Sequence, residues 1–276
     1  MSTTIAYGLR TVGAWIVAPF MLLGPTLGMI ALSLVVGALV LLIFRYTANQ
    51  RGLRHSKDQM QGGLLGIVVF QHDTAVMFSE EWRLVRGALS YMLNGLRPLA
   101  VMIVPVMAVI AGMGTFYAHS ALAPGARTTL TVRGTREDAP ALLSASLAPG
   151  PGVEVETPPL RMPSRSEVCW RVRATAPGTH ALAVRVGSET YTKTLVVGGN
   201  GRMAALSPVR TQGAFWATLS ESAEAPLPAG SVHQISVQYP SARWRLGPLK
   251  MHWLLAFLVL TIIVGLVLKG PMRVEL

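Results

Sequence analysis

Residues 11–44 contain no charged side chain. Nothing else in the chain limits its fold so sharply, because a bilayer crossing needs only about 20 consecutive apolar residues. Pro19 and the Gly24-Pro25 pair divide the stretch. "TLGMIALSLVVGALVLLIF", Thr26–Phe44, reads as the first span, taken with its end as 26–45. "WIVAPFMLLG" before it is too short to cross, so residues 1–25 are expected to form an interfacial or re-entrant segment. The alternative is one long tilted helix kinked near Pro25.

Composition agrees with a membrane protein. Only 13% of residues are charged, 51% are hydrophobic and the mean hydropathy is +0.46, against about 25% charged in soluble domains. The net charge of +11 therefore reads as topological and lipid-facing, not as a nucleic-acid footprint. A single cysteine, Cys169, excludes an internal disulfide. "MSTTIAYGLR" has no charged n-region leading into a short apolar core, so no cleaved signal peptide is expected.

Directly after Phe44 the chain carries Arg45, Arg51, Arg54 and Lys57 against Asp58 alone. The densest positive cluster beside a span marks its cytoplasmic side. Residues 46–96 show helical spacing on either side of "FQHDT", Phe70–Thr74, and read as a cytoplasmic helical hairpin. The second span is expected at 97–118, with Arg97 at the headgroups, Pro98 in the first turn and Pro105 bending the helix.

Residues 119–249 change character. "RTTLTVRG", "EVCWRVRA", "HALAVRVG", "TYTKTLVVG" and "VHQISVQYP" alternate with period two between Pro- and Gly-rich turns. That pattern predicts an extracytoplasmic β-sandwich of immunoglobulin-like type. Trp170 is a candidate core residue, with partner recognition as the alternative. The third span, 250–269, begins at "MHWLLAFLVLTIIVGLVL" and is followed by a cytoplasmic tail, 270–276, bearing Arg273. Arg10 is the only charge before the first span, so an outer N-terminus is readily exported. The fold class is membrane α + β.

No catalytic constellation emerges. The six histidines have no metal-ligand spacing, and "VGGNGRM" at 197–203 has no following helix to make it a phosphate loop. No ionisable residue falls at mid-depth in a span, the usual mark of proton-coupled transport. The expectation is a non-enzyme without metal or cofactor.

The order of outer N-terminus, span, cytoplasmic hairpin, Pro-containing span, exported segment and returning span resembles the three-span core of the YidC/Oxa-type membrane insertase superfamily. The stretches that carry it are "LLIFRYTANQRGLRHSKDQMQ" (41–61) and "LRPLAVMIVPV" (96–106). The chain is also similar to a family of uncharacterised bacterial membrane proteins through "FRYTANQ" (44–50), "HSALAPG" (119–125) and "KGPMRVE" (269–275). The resemblance implies a bacterial inner-membrane protein that assists insertion or folding of membrane-protein clients. Its groove or mouth residues would be Arg45, Arg51, Arg54, Lys57, Arg97 and Pro105. The competing expectation is an accessory subunit of an envelope complex, docking other membrane-complex subunits through its β-domain. In either case the partners are the bilayer and other proteins, not nucleic acid.

Overall fold

The computed structural model describes residues 2–48, 50–69, 74–198, 203–246 and 249–272. "FQHDT" lies outside them except for Thr74, as do most of "VGGNGRM" and Arg273. The chain divides into two compact units, residues 1–29 with 107–256, and residues 30–106 with 257–276.

The N-terminal helix α1, Ser2–Met21, is separate from α2, Pro25–Thr47. Between them Leu22–Gly24 turns, with Gly24 at φ +85°. That left-handed conformation suits a residue without Cβ, and Pro25 then starts α2 at the position where its missing N–H costs nothing. The single long kinked helix is thus excluded by the turn. α3, Gln50–Val69, follows, and then α4, Thr74–Tyr117. The last helix, α7, covers Trp253–Met272. Helices within Pro25–Thr47, Glu81–Tyr117 and Trp253–Pro271 are long and apolar enough to cross a membrane.

α4 does not begin near residue 97. It runs unbroken for 44 residues, with Pro98 and Pro105 both in its interior. Pro98 is therefore not a first-turn proline, and it is buried. An interior proline costs about 3 kcal/mol in helix propensity. Ending the helix there would instead leave up to four carbonyls and four amides without intrahelical partners. Continuing the helix is the cheaper solution.

In the first unit, an antiparallel sheet has the order β3-β5-β1-β9-β8, from Val153–Val155, Glu167–Ala174, Arg127–Arg133, Gln234–Val237 and Val209–Thr211. β4, Leu160–Met162, also pairs with β5. The second sheet is β2-β6-β7, from Ser146–Ala148, Gly178–Val186 and Glu189–Val197. A short hairpin joins β10, Trp244–Leu246, to β11, Leu249–Met251. All five alternating stretches of the sequence are strands here. Their inward residues share one core: Leu130, Val132, Trp170, Val172, Ile235 and Val237 from one sheet meet Leu182, Val184, Val186, Leu195 and Val197 from the other. The Tyr239 hydroxyl ties the sheets by accepting the Val196 N–H at 2.9 Å, and burial pushes its pKa up to about 12. Two short helices, α5 (Ala139–Leu143) and α6 (Phe215–Ser220), lie in the connections.

α1 belongs to this unit. Ala6, Arg10, Gly13, Val17 and Met21 recur at three- and four-residue spacing and are all buried. Ala6 packs with Ala111 and Leu219. Gly13 and Gly112 allow the backbones to touch, since a Cβ on Gly13 would stand 1.7 Å from the Ala108 carbonyl oxygen. The opposite face presents Ile5, Val12, Trp15 and Ile16 outward.

Candidate functional site

In the second unit, α3 and the first part of α4 meet through small side chains. Ser56 Oγ and Ser90 Oγ are 3.0 Å apart, and Gly87 lies against Met60 and the Ser56 backbone. Pairing residue 56 with 90 and 60 with 87 makes the two segments antiparallel, because one index rises as the other falls.

The face of α4 opposite Gly87 and Ser90 is apolar and open. Phe78, Trp82, Val85, Leu89, Met92, Leu93, Leu96, Leu99 and Ile103 are all exposed. At 3.6 residues per turn these spacings form one stripe. A helix of 44 residues at about 1.5 Å rise is roughly 66 Å long, over twice the ~30 Å hydrocarbon core. The helix is therefore longer than one crossing requires, and the stripe runs along it with the exposed Glu81 at its edge. Arg86 flanks the stripe, and its guanidinium sits over the Trp82 ring at 5.9 Å.

The mouth residues expected from the sequence fall on three helices. Arg45 is exposed in the last turn of α2. Arg54 and Lys57 are exposed on α3, and Arg97 is exposed on α4. Arg51 is on α3, with its side chain outside the described residues. Pro105 is half-buried within α4. Among the described residues, no hydrogen bond or ion pair joins Arg45, Lys57 and Arg97 to one another. α2 and α7 meet instead through a small residue: a Cβ on Gly37 would come within 2.8 Å of Val264 Cγ1.

Trp170 is 2% exposed and belongs to the core between the sheets, so it is no recognition residue. Cys169 is beside it on β5, with Sγ 3.4 Å from Thr131 Oγ1. Among the described residues, no group of three or more His, Cys, Asp or Glu side chains converges.

Sequence reasoning missed the charged pair inside the β-unit. Lys193 on β7 is 0% exposed, and its ammonium is paired with Glu224 and donates to the Ser207 carbonyl. The other Glu224 oxygen accepts the Thr194 N–H at 2.6 Å. Burial pulls the Lys193 pKa down against the pull of Glu224. Burial also works to raise Glu224, but Lys193 and the Thr194 amide outweigh it and hold the carboxyl below its ordinary range. Alternation along "TYTKTLVVG" does place Lys193 on the inward face with Tyr191 and Leu195, which was the available signal.

Arg10 of α1 is likewise buried, with its guanidinium 5.0 Å from the Tyr7 ring centre and within the field of Glu224. The sole charge on α1 thus points into the protein while its open face is apolar.

No family model matches this chain, and no curated protein matches it. Among solved structures it is similar to the S-layer protein rSbsC, at 11% identity and a TM-score of 0.20 over 49% of this chain and 22% of that one. Domains 1–6 of surface layer protein SbsC match at 11% identity and a TM-score of 0.21, again over 49% and 22%. The match spans under a quarter of the length of either structure.

Proposed function

We propose that this protein is a membrane-protein insertase or chaperone, acting without a catalytic centre from the bacterial inner membrane. Its N-terminus and β-unit face outward and its α3–α4 hairpin faces the cytoplasm. The observation that carries the reading is the continuous exposed stripe from Phe78 to Ile103 on α4. Burying a large apolar side chain is worth about 1.5–3 kcal/mol. Covering six of them is therefore worth on the order of 10 kcal/mol, enough to hold an apolar client segment before it enters lipid. The cations at 45, 54, 57 and 97 suit the cytoplasmic headgroups and the acidic flanks of a client. The resemblance to the YidC/Oxa superfamily points the same way.

Site-specific photocrosslinking tests this. A photoreactive residue at Trp82, Leu89 or Leu96 is expected to capture nascent membrane proteins, and one at Ser90 on the α3-facing side is not. Depletion is expected to slow insertion of membrane proteins with short exported tails. Stripe positions that crosslink only to lipid, together with unchanged insertion, refute the reading. A stoichiometric partner retained through detergent pull-down would support the accessory-subunit reading instead. Trp216, 68% exposed on α6 and stacked edge-on against Phe215, is the apolar contact on the β-unit that such a partner would use.

A further inference from the structure

A cavity of about 280 Å³ opens in the first unit where α4 ends and α2 begins. Pro25, Phe116, Tyr117 and Trp244 supply apolar wall, and His119 and Arg243 supply the basic groups. The Tyr117 hydroxyl donates to the Pro25 carbonyl at 3.0 Å, so the wall is held in place by a bond between the ends of two membrane helices. The His119↔Ser241 bridge and the Ala242 N–H donated to the Ala118 carbonyl bring the 241–244 segment alongside.

Three features of this cavity call for a ligand of one kind. Arg243 is exposed and makes no hydrogen bond or ion pair among the described residues, so its charge is available. Trp244 is 6% exposed and its ring closes one side of the apolar wall. Pro25, Phe116 and Tyr117 lie at the ends of two helices long and apolar enough to cross a membrane, and Met203, Ala204 and Leu206 extend the apolar wall. Glu221 is near enough to His119 to oppose the downward effect of burial on its pKa, but it does not line the cavity.

We propose that this cavity binds an anionic amphiphile, with a phosphate or carboxylate head beside Arg243 and His119 and the first part of its hydrocarbon against Phe116, Pro25 and Trp244. The lining joins a fixed cation to an aromatic wall, which matches a phospholipid headgroup better than a soluble anion. A free phosphate satisfies the cation but leaves the apolar wall wet. The site is independent of the stripe on α4 and stands whether or not the insertase reading does.

The test uses the full-length chain in nanodiscs containing phosphatidylglycerol, with phosphatidylcholine nanodiscs as reference, and counts lipids retained by native mass spectrometry after transfer to detergent. The wild type is expected to keep one phosphatidylglycerol. Arg243→Gln, at an exposed position that leaves the fold intact, is expected to weaken retention about tenfold. Ala204→Trp, which fills the cavity without touching a charge, is expected to do the same. Arg127→Gln, at a cation on the β-sheet surface paired with Glu156, is expected to have no effect. Equal retention in wild type, Arg243→Gln and Ala204→Trp overturns the proposal. So does displacement of the lipid by millimolar inorganic phosphate, which would assign the site to a soluble anion.

Discussion

Replacing Glu224 with Gln removes the only carboxylate paired with Lys193, whose side chain is 0% exposed among the described residues. Removing one partner of a buried ion pair costs about 3–5 kcal/mol, because the other charge stays behind in a poorly solvating site. The lysine can escape by losing its proton, which sets a ceiling. Starting from an ordinary Lys pKa of about 10.4, deprotonation costs about 1.36 kcal/mol per pH unit, or roughly 4.6 kcal/mol at pH 7 and roughly 2 kcal/mol at pH 9. The folded variant then binds fewer protons than its unfolded chain, so its stability rises with pH. Thermal unfolding of the purified chain in detergent, followed by tryptophan fluorescence, should show Glu224→Gln melting roughly 10–15 °C below wild type at pH 7. The gap should narrow by about half at pH 9. Lys193→Met/Glu224→Leu, which removes both charges and keeps apolar volume, should melt near wild type or above it. A Glu224→Gln penalty under about 0.5 kcal/mol, or one independent of pH between 7 and 9, refutes the reasoning.

Other outcomes follow from the same geometry. In the wild type, Glu224 is held below its ordinary pKa, so its contribution is complete above about pH 4.3 and is lost as the pH falls through the depressed value; Glu224→Gln should flatten that acid limb of the melting profile. Trp170→Ala leaves a void between the sheets and should cost about 3–5 kcal/mol in the same melt. Gly13→Leu forces a side chain into the Ala108 carbonyl, so it should release α1 and expose it to protease while the β-sheets still melt cooperatively. Pro105→Leu restores a backbone donor inside a continuous helix and should raise thermal stability; an equal or lower melting temperature would show that the proline ring is itself needed for packing.

The membrane character was legible because it is local and compositional. A charge-free run such as 11–44 or an apolar run such as 251–268 disfavours water whatever its neighbours do, and among the described residues three helices are long and apolar enough to cross a membrane. The principal strands were legible for a related reason. Period-two alternation in "RTTLTVRG" and "HALAVRVG" survives because each strand buries one face only, and those residues form β1 and β6. The short strands β2, β3, β4 and β8 were not legible, since three residues carry no period and are made strands by the long neighbours they pair with.

Tertiary structure decided the rest. The sequence placed a helix start at Pro98, because a proline after a charge reads as punctuation; packing and the cost of unpaired backbone carry α4 straight through it. It showed Arg10 only as the one charge before the first span, and the fold turned that charge inward, within the field of Glu224, with an apolar face outside. It offered two roles for Trp170, and only the meeting of two sheets selected the core. The Lys193–Glu224 pair and the cavity at Trp244 join residues far apart in the chain. Composition and period determine what a segment needs to bury; which segments bury one another is set by long-range packing, and the charges and cavities of this protein arise at those meetings.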